Sequence, residues 1–208
     1  MHIAKRGLRV LGIAESFSAE TTSLLAGVVM RKDLRIDGIS FTTTTIGGMD
    51  ATDSVIALYR SFMREDINAL MISGAVISWF NIIDPQQVAH VTERPVIIVT
   101  YEDSDGIEAD IRHYFPGDTQ RLVRYAALGT RFPATLPTGY TIYIRSSGIP
   151  DRDAALLCAS FTHDGKIPEP IRVARLCARA GMRFARDAKG REGRGEDLRS
   201  HEGDVSEG

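Results

Sequence analysis

The stretch Leu70–Asp84, LMISGAVISWFNIID, predicts the central strand of the protein and the loop that this strand feeds. Residues 69–72 are apolar without alternation, which is typical of a strand that is buried on both faces of a sheet. Ser73 and Gly74 end this strand, and the chain's only tryptophan, Trp79, follows. Because sites in open α/β sheets form at the carboxyl ends of central strands, we expect a functional site near Ser73.

The composition indicates a soluble protein of one compact domain. The chain has 208 residues, of which 43% are hydrophobic, and its net charge is −2. This charge excludes a polybasic protein, so affinity for nucleic acid would have to come from a local patch. Cys158 and Cys177 lack metal-ligand spacing, and we interpret them as buried free thiols in a reducing compartment. No apolar run approaches the about 20 residues of a membrane span, so we expect a cytoplasmic protein that does not enter a membrane.

Further elements follow from the periodicity on either side of the central strand. Strands over Gly7–Ile13, Thr21–Met30 and Leu34–Ile46 are joined by short connections, so we expect an antiparallel meander. The predicted elements after it are a helix from Asp50, the central strand, a helix from Asp84, a strand over Pro95–Thr100, helices over Ile107–Phe115 and Thr119–Leu128, an edge strand over Tyr140–Ile144, and helices over Asp151–Phe161 and Ile171–Phe184. This order predicts an α/β, ribonuclease H-like mixed sheet: three antiparallel strands, then parallel strands, with helices on both faces.

The end of the chain differs in composition from the rest. From Arg186 on, glycine and both signs of charge are mixed, and almost no apolar residue occurs. Such a segment cannot offset its ordering entropy by burial, so we predict that it is disordered. The expected organisation is one folded domain over residues 1–185 and a charged tail over residues 186–208.

Three residues have both a structural and a functional interpretation. Asp84 precedes a proline at the first helical position, and we interpret it as a helix cap rather than as a metal ligand. For Asp50, beside a strand end, we favour capping and keep a functional role as the alternative. Trp79 is expected to pack in the core under its loop, and the alternative is an exposed anchor for a partner.

An arginine stripe follows the last predicted helix. Spacings of three and four place five arginines on one helical face: Arg172, Arg175, Arg179, Arg183 and Arg186. A solvated face is one interpretation, and a ridge that follows phosphates is the other, because arginine forks match phosphate geometry. The sequence does not separate the two interpretations. Gly181 would shorten the ridge if the helix ends there.

Several segments in one order carry a resemblance to a known family. They are RVLGIAES, IDGISFTTTTIGGMDATD, LMISGAVISWFNIID, PVIIVT and GKIPEPIRVARLCA. Together they resemble the archaeal endonuclease-dU-like family, which is related to endonuclease V, from about Arg9 to Gly181. The resemblance implies a ribonuclease H-like fold and metal-dependent phosphodiester cleavage of DNA that carries deaminated bases.

The implied site requires carboxylates at adjacent strand ends that hold Mg²⁺ or Mn²⁺. The family pattern has acids at positions 14, 15, 47 and 73 and a histidine at position 175, where this sequence has Ala14, Glu15, Gly47, Ser73 and Arg175. The resemblance therefore implies Glu15 and Asp50 as the catalytic and metal-binding residues, with Ser73 and Asn81 close by.

These substitutions lead to two hypotheses for the function. The first is a metal-dependent nuclease built around Glu15 and Asp50, although two carboxylates hold a hard divalent ion poorly. The second is a non-catalytic protein that binds nucleic acid, most simply DNA, or another phosphate through Arg172, Arg175 and Arg179. Arg175 favours the second hypothesis, because its fixed positive charge would repel a metal ion.

Overall fold

The computed structural model describes residues 7–17 and 21–201, with side chains described as far as residue 188. The elements in chain order are β1 (Arg9–Phe17), β2 (Thr22–Arg31), β3 (Ile36–Thr45), α1 (Ala51–Ser61), β4 (Ala69–Ser73), β5 (Val76–Ile77), β6 (Asn81–Ile82), α2 (Pro85–Thr92), β7 (Val96–Thr100), α3 (Glu108–Tyr114), α4 (Thr119–Ala127), β8 (Phe132–Thr135), β9 (Thr141–Ser147), α5 (Asp151–Ser160) and α6 (Glu169–His201). Among the described residues, no helix is both long and apolar enough to cross a membrane.

A seven-stranded mixed sheet in the order β3-β2-β1-β4-β7-β9-β8 organises the chain. Strands β1, β2 and β3 form the antiparallel meander that the sequence predicts. Strands β4 and β7 then run parallel to β1, and β9 returns antiparallel beside β7. The predicted α/β architecture of a meander followed by parallel strands is confirmed.

The far edge of the sheet differs from the prediction. The strand predicted over Tyr140–Ile144 is not an edge strand, because β9 lies between β7 and β8. The edge is β8, which contains Pro133 and lies between two predicted elements, where the periodicity predicts no strand. Proline is tolerated at a sheet edge, where its missing N–H leaves no neighbouring strand unpaired.

The central strands divide the interior into two apolar layers. Leu70 and Ile72 of β4 belong to the layer under α1 and α2, whereas Met71 belongs to the layer under α5 and α6. All three side chains are at most 1% exposed, which confirms that β4 is buried on both faces. Cys158 lies buried in the second layer and Cys177 is half-buried at its margin, both as free thiols.

Helix α6 lies directly against β1 at Gly12. A Cβ atom at Gly12 would come within 2.3 Å of the carbonyl carbon of Pro170, closer than any ordinary contact. The absence of a side chain at Gly12 therefore lets the first turn of α6 approach the sheet. This contact fixes the start of the helix beside the middle of β1.

Helix α6 extends beyond the end that the sequence predicts. Gly181 lies inside the helix, where a Cβ would meet the side chain of Leu24 at 2.6 Å, so the helix does not end there and the arginine stripe is not shortened. The helix continues to His201, whereas the sequence predicts disorder from Arg186. A packed helix lengthens at little cost, because nucleation is the unfavourable step. Residues 202–208 lie outside the described residues, and the division into a domain and a tail stays a prediction.

We expect Gly12→Ala to destabilise the protein by about 1–3 kcal/mol, because the added methyl group overlaps the backbone of α6. Gly7→Ala is the matched control, since a Cβ at Gly7 meets no atom within 4 Å. Urea unfolding followed by circular dichroism measures both free energies. Equal midpoints for Gly12→Ala and Gly7→Ala would contradict the close approach of α6 to β1.

Candidate functional site

The carboxyl end of β4 is occupied by an arginine from α6. Ser73 ends β4 between β1 and β7, and its Oγ accepts hydrogen bonds from Nη2 and Nε of Arg175 at 2.7 and 3.2 Å. The guanidinium carbon of Arg175 also lies 4.5 Å from the centre of the Tyr101 ring. A cation therefore occupies the strand end where the sequence resemblance implies a metal-binding acid.

Glu15, near the end of β1, is held by serine donors. Its Oε2 accepts hydrogen bonds from Ser23 Oγ at 2.5 Å and Ser78 Oγ at 3.0 Å, and its Oε1 accepts one from the Ser78 N–H at 3.1 Å. Both serines are at most 1% exposed. The carboxylate thus joins β1 and β2 to the turn after β5.

Asp50 is likewise engaged by neutral donors. Its carboxylate accepts hydrogen bonds from Thr44 Oγ1 at 2.9 Å, from the N–H and Oγ1 of Thr45, and from Asn81 Nδ2 at 2.6 Å. Burial raises the pKa of Asp50, but the hydrogen bonds from Asn81, Thr45 and Thr44 outweigh it, so the net pKa lies below the usual value. The site around Asp50 therefore stabilises its charge without a metal.

The interpretation of Asp50 as a side-chain cap is wrong. Asp50 precedes α1, but its side chain accepts no hydrogen bond from the first turn of that helix. Asn81 takes this role, since its Oδ1 accepts the Ala51 N–H at 3.0 Å while its amide nitrogen donates to Asp50. The cap interpretation of Asp84 is confirmed, because its Oδ1 accepts the N–H groups of Gln86 and Gln87.

The side chains at these strand ends do not fit the divalent ion that the resemblance implies. Mg²⁺ demands octahedral coordination by oxygen, with carboxylates that are free to bind it. Glu15 and Asp50 instead belong to separate hydrogen-bond networks that already use both oxygens of each carboxylate. Within residues 7–17 and 21–188, no cluster of three or more His, Cys, Asp or Glu side chains could hold a metal.

The arginine stripe of α6 separates into two parts. Arg172 donates to the Glu169 carboxylate with Nε at 2.8 Å, so it is engaged near the start of the helix. Arg175 reaches Ser73, and the three arginines beyond it line a cavity of about 220 Å³ beside the end of β1: Arg179, Arg183 and Arg186. The stripe thus places positive charge along the strand-end side of the sheet, starting at Arg175.

A larger cavity at the strand ends contains residues that the sequence did not single out. It measures about 330 Å³, and its lining includes Ser73, Tyr101, Arg131, Arg145 and Arg175. Burial lowers the pKa of Arg145, and Tyr125 opposes this shift while Arg131 adds to it. An arginine directly after the segment IYI of the strand TIYIRSS was the available signal for Arg145. Arg131 offered no such signal, because its position depends on the unpredicted strand β8.

The turn between β5 and β6 carries two aromatic residues and is partly exposed. Ser78, Trp79 and Phe80 have φ values of 45°, 59° and 64°, and Arg121 donates to the carbonyl oxygen of Phe80. The Trp79 side chain is 45% exposed, so the expectation of core packing is wrong. Its ring contacts Tyr114 at 4.9 Å between ring centres, because the left-handed turn directs it away from the interior.

We expect Asp50→Asn to lower the free energy of unfolding at pH 7 by about 1–3 kcal/mol, because an amide cannot accept every hydrogen bond that the carboxylate receives. The folded-state pKa of Asp50 is depressed, so this stabilisation is complete above about pH 4 and is lost as the pH falls through the folded-state pKa. Chemical unfolding at pH 7 and pH 3 measures the effect. Asp53→Asn, at an exposed position on α1, is the control. A difference between the two variants that stays constant with pH would contradict the charged role of Asp50.

Comparison with known proteins identifies the family. The family model for endonuclease dU matches residues 6–182. A UPF0215 protein of Pyrobaculum calidifontis is 39% identical over 178 residues, which cover 83% of this chain and 96% of that protein. A UPF0215 protein of Methanosarcina acetivorans is 30% identical over 190 residues, which cover 90% of this chain and 96% of that protein.

Solved structures extend the comparison to the fold. A crystallised Archaeoglobus fulgidus protein of unknown function has a TM-score of 0.73 at 29% identity and covers 83% of this chain and 97% of its own. Human endonuclease V has a TM-score of 0.59 at 16% identity, with 86% of each chain covered. The Argonaute of Marinitoga piezophila, at a TM-score of 0.51 and 11% identity, matches 85% of this chain and 30% of its own. The predicted ribonuclease H-like fold is confirmed, and this chain belongs to the endonuclease dU family.

Proposed function

We propose that this chain binds nucleic acid at the carboxyl ends of its central strands and does not cleave it by divalent-metal chemistry. The observation that carries this proposal is the contact of Arg175 with Ser73 Oγ, at 2.7 Å from Nη2. A guanidinium at this strand end attracts a phosphate and repels a metal ion. Membership of a nuclease-like family accounts for the fold. The residues that replace the family's acids at the strand ends determine which ligand this chain can bind.

The surface beside Arg175 supports a polyanionic ligand. Arg179 and Arg183 continue the stripe along α6 and line the cavity near Ser16 and Phe17. Arginine forks bind phosphate oxygens in a bidentate geometry, and several along one face follow a phosphodiester backbone. Endonuclease V of Ciona intestinalis, which has the same fold at a TM-score of 0.59, is known in complex with DNA that contains an inosine. DNA is therefore the ligand to test first.

The alternative function is metal-dependent cleavage of DNA that carries deaminated bases, with Glu15 and Asp50 as the ligands of Mg²⁺ or Mn²⁺. Family membership favours this alternative. It requires both carboxylates to exchange hydrogen bonds with Ser78 and Asn81 for bonds to the ion. The cost of releasing those buried donors makes it the weaker of the two functions.

Both functions can be measured with one labelled DNA duplex that contains a single uracil or inosine, in the presence of Mg²⁺ or Mn²⁺. We expect fluorescence anisotropy to show binding that weakens steeply with salt, and gel analysis to show no cleavage product. The double variant Arg179→Gln/Arg183→Gln removes two phosphate contacts, so the slope of log K against log salt should fall by about two. Arg152→Gln is the control, because Arg152 is an exposed arginine on α5.

Two results would overturn the proposal. The first is metal-dependent cleavage that disappears in Glu15→Gln or Asp50→Asn, which would establish the nuclease alternative. The second is binding that is independent of salt, or equal in the double variant and in Arg152→Gln.

A further inference from the structure

Three guanidinium groups line the cavity of about 330 Å³ at the carboxyl ends of β4 and β7. They come from distant parts of the chain: Arg131 precedes β8, Arg145 lies in β9, and Arg175 lies in α6. Like charges repel unless something between them is negative. Their convergence on one cavity therefore points to an anion as the occupant.

The protein meets this charge mainly with neutral groups rather than with acids: Arg131 donates to the carbonyl oxygens of Glu102 and Ser104, and Arg145 donates to that of Gly129. Arg145 and Arg175 form no ion pair with any side chain of residues 7–17 and 21–188. Arg131 contacts Asp103 at 3.0 Å, but the Asp103 side chain is 75% exposed, so water screens that pair. The acid in the cavity lining, Glu102, is 82% exposed and already contacts Lys166. An anion that enters the cavity would therefore supply negative charge that the protein lacks there, instead of displacing a carboxylate that already pairs with the arginines.

Tyr101 lines the same cavity, but its hydroxyl oxygen is buried out of reach of solvent and is therefore not available to a ligand there. Burial raises the pKa of Tyr101 to about 12, and Arg175 and Ser73 only partly oppose this rise, so the hydroxyl keeps its proton at neutral pH. Tyr101 therefore adds no negative charge that would oppose an anion in the cavity.

A second cavity continues from the first one and limits the size and charge of the ligand. It measures about 720 Å³ and shares Tyr125, Arg131 and Arg145 with the first cavity. Its lining also includes the carboxylates of Asp103, Asp105 and Glu108. These groups repel additional phosphates, but they accept hydrogen bonds from hydroxyl and amino groups.

We propose that the two cavities together bind a nucleoside phosphate monoester, with the phosphate among Arg131, Arg145 and Arg175 and the nucleoside in the acidic cavity. The inference deepens the proposed function and partly rests on it, because Arg175 serves both. The monoester has two possible sources: a free mononucleotide, or the phosphorylated end of a nucleic-acid strand. Both present the same dianion to the arginines.

Isothermal titration of the full-length chain with AMP, adenosine and ATP tests the inference. We expect AMP to bind, adenosine to show no measurable binding, and ATP to bind more weakly than AMP because of the acidic cavity. Arg145→Gln should weaken AMP binding by at least about tenfold, since it removes a charged donor. Arg152→Gln is the control and should bind AMP as the unaltered chain does.

Arg131→Gln provides a second variant, because Arg131 reaches the cavity from a different part of the chain than Arg145. AMP affinity should again fall by at least about tenfold, since a charged donor is removed. Tyr101→Phe should leave AMP affinity unchanged, because the hydroxyl is buried away from solvent. Unchanged affinity in both Arg131→Gln and Arg145→Gln would overturn the inference.

Paired oligonucleotides of one sequence, with a 5′-phosphate or a 5′-hydroxyl, distinguish the two sources. Tighter binding of the phosphorylated strand identifies the end of a strand as the ligand. Equal binding of the two strands, together with AMP binding, identifies a free mononucleotide. Either result supports the inference.

Oligonucleotide binding with no AMP binding and no effect of the 5′-phosphate would overturn the inference and leave the proposed function standing. AMP binding by an unaltered chain that binds no DNA would instead remove the proposed function alone. ATP binding tighter than that of AMP would contradict the role of the acidic cavity.

Discussion

The contact between Arg175 and Ser73 ties the last helix of the chain to the end of its central strand. Ser73 accepts two hydrogen bonds from the guanidinium, which also lies over the ring of Tyr101. Because Gly12 lets the start of α6 lie directly on β1, Arg175 is carried to the strand end by a firmly docked helix. The positive charge at this edge of the sheet follows from that placement.

The two remaining carboxylates show how a strand-end site is stabilised without a metal. In a ribonuclease H-like site the ion would offset the repulsion among neighbouring acids. Here Glu15 accepts hydrogen bonds from buried serines, and Asp50 accepts them from two threonines and Asn81. Each charge is therefore stabilised by neutral donors close to it, and each carboxylate joins segments that are distant in sequence. The acids have a structural role that accounts for their presence even if no chemistry occurs.

The sequence predicted those features that depend on local pattern. The unbroken apolar run before Ser73 identified the buried strand, and the Asp84-Pro85 pair identified a true helix cap. The features that it missed depend on contacts between distant segments. Pro133 lies in an edge strand that exists only beside β9, and Trp79 is exposed because Arg121, far along the chain, supports its turn. Arg131 and Arg145 have no common pattern in the sequence and share a cavity only in the folded sheet.

We propose that Arg175 takes the place of a metal ion at the end of β4. Anomalous X-ray scattering from a crystal of the protein grown with a 5′-phosphorylated oligonucleotide and soaked in Mn²⁺ tests it directly. We predict no manganese peak among Glu15, Asp50 and Ser73, with density for a phosphate against the guanidinium of Arg175. A manganese peak bound by Glu15 or Asp50, with Arg175 displaced from Ser73, would contradict the claim.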